Sequence, residues 1–310
     1  GPGEFTLRAF LNGKMDLSQA EAVADVIASE SGASLRQAIN QMRGGFSKEI
    51  AALRSELLKF ASLIELELDF GEEDVEFADR RNLMKLIVHI KKVIDGLAGS
   101  FSLGNVIKNG VPVAIVGKTN VGKSTLLNAL LNEEKAIVSD IHGTTRDAIE
   151  DVMNIKGMLF RFTDTAGIRK ATSKIEKIGI KRSFEKAAKA SVILLVADAR
   201  ETAAEIQKQA TLVKPRKDQH RIIILNKSDL LKESELKTKM ASLNIPCPVL
   251  AVSAKKKHHI EELQQMLLKC INYKDTGQDV IVTNSRHFEA LVKASGAIER
   301  VVGALGKNTS

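Results

Sequence analysis

The sequence predicts a two-part fold: a mostly parallel α/β sheet with one antiparallel edge strand, inserted into an all-α helical bundle whose chain is discontinuous. Three observations carry that expectation. Long apolar stripes at helical spacing occur before residue 105 and again after residue 284. Short β-branched runs alternating with helical stretches fill the interval between them, the pattern of a sheet covered by helices. A glycine-rich motif joins the first of those runs to the first of those helices.

The elements follow in order. Residues 16–70 read as helix, opened by Ser18-Gln-Ala-Glu21 in the form of a capping box. Ile50, Leu53, Leu57, Leu58, Ala61 and Ile64 form an apolar stripe, and Gly44-Gly45 marks an interruption. Asp69 to Asp79 is an acidic loop. Helix resumes over 80–98, with Leu83, Leu86, Ile87, Ile90 and Ile94 on one face, and Gly96, Gly99 and Gly104 read as a linker. Strands are expected at Val113–Val116, Met158–Phe162, Val192–Ala197, Ile222–Leu225 and Val249–Val252, with Lys156-Gly157 as a hairpin turn to an antiparallel edge. Residues 259–273 and 284–305 return to helical spacing, and the last of these should pack on the first helical segment. The expected division is 1–108 and 274–310 for the helical domain, with 109–273 inserted.

Composition sets the outer limits. Of 310 residues, 44% are hydrophobic and 27% charged, which suits a folded chain with a core and excludes a disordered one. With no Trp, one Tyr and 11 Phe, that core is mostly aliphatic. The run Val192–Ala197 is far below the ~20 residues of a membrane helix, and no secretory leader opens the sequence, so a cytoplasmic protein without a membrane partner is expected. Cys247 and Cys270 match no metal spacing and read as reduced thiols. Lys and Arg number 13 against 16 acids in residues 1–109, but 33 against 22 in residues 110–310. The second region is therefore basic, which suits a polyanion such as a nucleotide or RNA.

Three motifs carry chemistry. Gly117-Lys-Thr-Asn-Val-Gly-Lys-Ser124 fits the phosphate-binding loop and sits between strand and helix, the context that gives it meaning. Backbone N–H groups over Asn120, Val121, Gly122, Lys123, Ser124 and Thr125 would cradle phosphates. Lys123 would neutralise their charge, and the Ser124 hydroxyl would ligate Mg²⁺. Asp164-Thr-Ala-Gly167 follows a strand, where Asp164 suits the Mg²⁺ shell and the Gly167 N–H suits the terminal phosphate. Asn226-Lys227-Ser228-Asp229 ends another strand. A carboxylate at Asp229 accepts two hydrogen bonds from guanine, a donor pair that adenine lacks, and Ser253-Ala254-Lys255 would close over the base. Together these imply a guanine-nucleotide hydrolase. In Asp140–Asp147, Thr145 is preferred over Thr144 as a Mg²⁺ ligand that orders with the γ-phosphate. Ile168 stands where many small GTPases carry a water-orienting glutamine, so a polar group must come from elsewhere; the stretch 169–177 offers Glu176.

The chain resembles the bacterial and organellar MnmE (TrmE) family of tRNA-modification GTPases. The resemblance rests on the string Gly3 to Ala22, on Leu68-Asp-Phe70 with its acidic loop, on Asp140 to Asp147, and on Asp164 to Gly167 followed by Ile175 to Ile180. It implies a Ras-like GTPase domain inserted into the helical domain, behind a folate-binding domain whose end would fall near Gly1-Pro2. It implies a flavin-dependent partner of the MnmG (GidA) family, installation of an aminomethyl-type or carboxymethylaminomethyl group at C5 of the wobble uridine of tRNA, and GTPase domains that pair in a homodimer when GTP is bound. It further implies a K⁺ ion held by Asn120 and by loop carbonyls of Ile141, Gly143 and Thr144, with Glu176 orienting the attacking water. The sequence departs from the family in lacking its C-terminal Cys-x-Gly-Lys motif, so a fragment that hydrolyses GTP without modifying tRNA alone is expected. The alternative is a ribosome-assembly GTPase of the Era or EngA type, which shares the Asn-containing loop and Gly143-Thr-Thr-Arg-Asp147.

Overall fold

The structure, a computed structural model, describes residues 1–69, 80–132, 151–163, 188, 190–216, 219–271 and 280–306. The chain divides into two compact units, Gly1–Asn109 with Asp275–Ser310, and Gly110–Lys274.

The first unit is helical. Helices α1 (Glu4–Leu11), α2 (Leu17–Ile27), α3 (Gly32–Met42), α4 (Gly45–Asp69) and α5 (Arg80–Asn109) come from its first segment, and α10 (Ser285–Gly306) from its second. The helical stretch expected over 16–70 is three helices: the interruption expected at Gly44-Gly45 separates α3 from α4, and a further break before α3 was not expected. Asp16, not Ser18, caps α2, accepting from the Gln19 backbone while Gln19 returns to the Asp16 N–H. Ser31 caps α3 through a reciprocal pair with Ser34, and Gly44, at φ 83°, turns the chain into α4. The expected linker at Gly96, Gly99 and Gly104 is also corrected, since all three lie inside α5. At Gly104 the missing Cβ has a reason: one there would overlap the Val282 carbonyl oxygen.

Burial follows the apolar stripes with one shift of face. Leu53 and Phe60 on α4 are buried, while Leu58 points out and is 51% exposed. On α5, Leu83, Ile87, Ile90 and Ile94 are buried as expected, and Leu291 and Ile298 on α10 join the same core. Phe101 stacks on Phe288 with centroids 4.5 Å apart. The second segment thus completes the bundle, as the discontinuous domain requires.

The second unit is a six-stranded sheet of order β2-β3-β1-β4-β5-β6. Its strands are β1 (Val111–Val116), β2 (Asp151–Ile155), β3 (Met158–Thr163), β4 (Val192–Asp198), β5 (His220–Asn226) and β6 (Val249–Val252). All pairings are parallel except β2 with β3, the predicted hairpin, whose turn residues Lys156 and Gly157 both take positive φ. Helices α6 (Lys123–Asn132), α7 (Ala203–Leu212), α8 (Glu233–Ser242) and α9 (Ile260–Cys270) follow the strands. Every residue of β4 is buried, as a strand covered on both faces should be. β1 lies between β3 on one side and β4 on the other, so the strand order reverses at β1. In open α/β sheets the crevice at the carboxyl ends of the strands beside such a reversal binds the ligand. Among the described residues no helix is long and apolar enough to cross a membrane, and both cysteines are free.

Candidate functional site

Among the described residues four chain segments meet at that edge of the sheet, each leaving the carboxyl end of a strand. The first is the glycine-rich loop between β1 and α6. Gly117 has φ 151° and lies against β4, where a Cβ would overlap the Val196 carbonyl oxygen. Gly122 has φ 94°, and a Cβ there would strike the Asn226 side-chain amide. Both positions therefore demand glycine for lack of space as well as for conformation. Asn120 takes the left-handed conformation at φ 61°, which Asn tolerates better than most residues. The loop curls so that the Lys123 Nζ donates to the Gly117 and Lys118 carbonyls, at 2.8 and 2.5 Å. Burial pushes the Lys123 ammonium below its ordinary pKa, so a desolvated cation stands inside the loop, where an anion would relieve the cost of its burial. Ser124 follows at the first turn of α6, half-buried, and Thr125 is exposed.

The second and third segments are the β5 and β6 exits. Asn226, 2% exposed, is the keystone. Its Nδ2 donates to the Val121 carbonyl at 2.8 Å and its Oδ1 accepts from the Ala254 N–H at 3.1 Å. One side chain thus ties the phosphate loop to Ser253-Ala-Lys255. Lys227 turns the chain at φ 64° into the 3₁₀ turn Ser228–Leu230. Asp229 accepts from the Ser253 hydroxyl at 2.6 Å, and that bond, ahead of the distant Lys256, holds its carboxyl below the ordinary range. Ser253 is fully buried, and an antiparallel bridge to His258 closes the loop behind it. Lys255 lies on that loop, exposed. An ionised Asp229 at the lip of the crevice is an acceptor for paired N–H donors, which is what guanine offers.

The fourth segment, after β4, escaped the sequence reading. Asp198 ends β4 in register with Asn226 of β5. It accepts from Arg200 Nε and Nη2 at 3.0 and 2.8 Å and from Lys227 Nζ at 2.8 Å. Those donors hold its carboxyl far below the usual carboxylate range, the Arg200 bond contributing most. Glu201, two residues on from Ala199, accepts from Lys118 of the phosphate loop at 2.7 Å. A signal existed: an aspartate directly after an unbroken apolar run, at the same sheet edge as Asn226.

The structure brings together Asn120, Val121, Gly122, Lys123, Ser124, Thr125, Asn226, Lys227, Asp229, Ser253, Ala254 and Lys255 at one sheet edge. Ile141, Gly143, Thr144, Thr145, Asp164, Gly167 and Glu176 lie outside the described residues. For Mg²⁺, the donor chemistry of the Ser124 hydroxyl beside a desolvated lysine fits a cation shared with phosphates. For a monovalent ion, the exposed Asn120 would offer an amide oxygen, a hard donor.

Comparison with known proteins adds an independent line. The family profile described as the MnmE helical domain matches residues 17–310. A relative from Bacteroides thetaiotaomicron, described as a tRNA modification GTPase MnmE, is 55% identical over 315 aligned positions, covering 100% of this chain and 68% of that protein. One of the same description from Flavobacterium johnsoniae is 54% identical over 99% of this chain and 67% of its own length. Among solved structures, a bacterial selenocysteine-specific elongation factor aligns with 54% of this chain and 29% of its own at 18% identity and a TM-score of 0.39.

Proposed function

Since the chain belongs to the MnmE family of tRNA modification GTPases, we propose that it binds guanosine triphosphate at the β1, β4, β5 and β6 exits and hydrolyses it to drive modification of the wobble uridine of tRNA. The observation that carries the reading is the pair of hydrogen bonds from Asn226, which unites the phosphate loop with the base-closing loop in one crevice. Backbone N–H groups of residues 120–125 would hold the β- and γ-phosphates, and Lys123 would exchange its loop carbonyls for phosphate oxygens. Asp229 would select guanine. Each charge-assisted bond is worth roughly 1.5–3 kcal/mol, and adenine would leave the carboxylate unpaired.

Ser124 would ligate Mg²⁺ with Thr145 and Asp164, and the bound ion neutralises charge on the phosphates. Gly167 would meet the γ-phosphate, and Glu176 would orient the attacking water. Asn120, with carbonyls of Ile141, Gly143 and Thr144, would hold a K⁺ ion that supplies the charge an arginine finger supplies elsewhere, a contribution of about 10³–10⁵ in rate. The family supports further readings: a partner of the MnmG flavoprotein class, tRNA as the macromolecular substrate with a carboxymethylaminomethyl or aminomethyl group added at C5, pairing of two GTPase units when GTP is bound, a folate derivative held by a further domain, and action in the cytoplasm. The ribosome-assembly alternative is not retained, because both relatives above are described by tRNA modification.

Steady-state GTP hydrolysis in K⁺ and in Na⁺ at one ionic strength tests the catalytic reading. Turnover should fall sharply in Na⁺, and Glu176→Ala should abolish the difference while leaving GTP affinity within about twofold. Equal rates in both salts would remove the potassium role. Loss of affinity and rate together in Glu176→Ala would remove the glutamate's.

A further inference from the structure

We infer that Asp198 is a positioning residue for guanine-nucleotide binding, acting through Lys227 to clamp the phosphate loop at Asn120; the inference rests on the guanine-nucleotide reading above. Lys227 stands at φ 64°, a conformation unfavourable for a lysine unless its surroundings hold it. Its ammonium is held at two points, the Asp198 Oδ2 at 2.8 Å and the Asn120 carbonyl at 2.7 Å. Asn120 is itself left-handed at φ 61°, so one ammonium bridges two strained backbone positions on different loops.

Asp198 is built for this task and not for solvent. The residue is 8% exposed. Its remaining capacity is filled by the Arg200 guanidinium fork and by the Arg200 backbone N–H at 3.0 Å. An aspartate already ionised and saturated by Arg200 gives Lys227 a fixed anchor instead of a mobile one. Sheet register then fixes the geometry: Asp198 sits beside Asn226, and the Ala199 N–H donates to the Asn226 carbonyl at 2.7 Å. The residue before Lys227 and the residue that anchors its ammonium are thus set by one pair of strands. Asp229, two residues beyond Lys227, inherits its position from the same turn. Asp198 therefore acts on the base-reading carboxylate and on the phosphate loop at once, although it is placed to touch neither base nor phosphate.

The test is a two-residue cycle read by titration with fluorescent GDP and GTP. Asp198→Asn keeps the side chain's shape and removes its charge. It should weaken both nucleotides equally, by roughly tenfold to a hundredfold, the scale of one charge-assisted hydrogen bond. In a Lys227→Met background the same change should alter affinity by less than about twofold, because its only route to the nucleotide is gone. A purely structural aspartate would instead lower the unfolding temperature and weaken binding by the same factor in both backgrounds, and that additivity would overturn the inference. Arg200→Gln, which leaves the Asp198–Lys227 pair in place, should cost far less than Asp198→Asn; an equal cost would also overturn it. If Asp198→Asn fails to fold, Asp198→Glu, which keeps the charge but displaces it, is put through the same cycle with the same two readings. Should the unaltered protein take up neither nucleotide, the functional reading fails; should it bind and Asp198→Asn bind as well, only the role of Asp198 fails.

Discussion

Each unit contains a glycine pressed against a carbonyl oxygen of another segment, and the two do different work. In the sheet unit Gly117 lies under Val196 of β4, at the edge where four strands deliver polar residues. In the helical unit Gly104 lies under Val282, and the contact is purely architectural: it lets the segment returning from the inserted unit lie against α5. That segment is pinned by polar bonds on both sides, the Gln37 amide donating to the Ile281 carbonyl at 2.9 Å and the Val282 N–H to the Ser100 hydroxyl at 3.0 Å. One close approach shapes the proposed binding crevice, and the other closes a domain whose chain is broken. Polar chemistry in the sheet unit is gathered at one rim, where the proposed nucleotide would sit. Polar chemistry in the helical unit is spent on holding distant parts of the chain together.

The comparison breaks most visibly at the glycines. Gly104→Val puts carbon where a backbone carbonyl stands, and no side-chain rotation relieves it. The helical unit should lose about 3 kcal/mol or more, the upper end for overpacking, seen as an early transition in urea while GDP binding persists. Gly122→Ala should do the reverse. Its Cβ displaces the Asn226 amide, so GDP affinity should fall roughly a hundredfold, about 2.7 kcal/mol, with the helical transition unmoved. A shared response to either change would mean that the units do not fold as separately as their cores suggest.

Much of this was legible in the sequence, for reasons that differ between the units. A parallel strand buried on both faces must be a short continuous apolar run, so Val192–Ala197 and Ile222–Leu225 are legible as strands. The glycine-rich loop and Asn226-Lys-Ser-Asp229 stand out in the sequence because their spacing is fixed, and the structure places both at one sheet edge. Helix boundaries were not. Asp16 and Ser18 are both good caps two residues apart, and only the Gln19 partner decides between them. Ser18 is instead buried beneath Gln41. Gly96, Gly99 and Gly104 read as a linker because local propensity penalises glycine in helices. Tertiary approach of Val282, which no local pattern encodes, explains Gly104; at the other two, no atom of the described residues beyond the helix's own backbone and the adjoining residues lies within 4 Å of where a Cβ would stand. Asp198 was missed because one acid after a strand has no motif; its meaning lies in Lys227, 29 residues away.

A smaller effect sharpens the same contrast. Gln41 donates to the Ser18 carbonyl and hydroxyl, each at 3.2 Å, and its Oε1 accepts from the Thr283 hydroxyl at 3.2 Å. This buried amide joins α2, α3 and the returning segment. Gln41→Leu strands two buried hydroxyls, so the helical unit should lose about 2 kcal/mol. Adding Thr283→Val should cost less than it does alone, since its partner is already gone. A strictly additive pair, measured by urea midpoints, would show that the network does not act as a unit.

The smallest expected effect is a slope with pH. His287 stacks on Phe46 with centroids 4.7 Å apart, and burial lowers its pKa from an ordinary 6.5. Arg286 beside it pushes the same way, while Glu21 on α2, 3.7 Å from Nε2, and Asp16 pull it back up without prevailing. The folded chain therefore binds fewer protons than the unfolded chain just below 6.5. Stability of the helical unit should be full above that pH and decline as pH falls through the window beneath it, by no more than about 1.4 kcal/mol per pH unit for one proton. His287→Phe keeps an aromatic ring against Phe46 and removes the proton. The difference between the two proteins in urea midpoint, taken at about pH 7.5 and again at about pH 5.5, should shift in favour of the variant on acidification. A difference that stays constant would show that the carboxylate cancels burial, and one that moves the other way, because Glu21 recruits the charged imidazole in the folded state, would show that it outweighs burial at this site. The helical unit would then hold a titrating ion pair of the kind the sheet unit avoids at Asp198, where Arg200 and Lys227 keep the carboxylate ionised well below physiological pH.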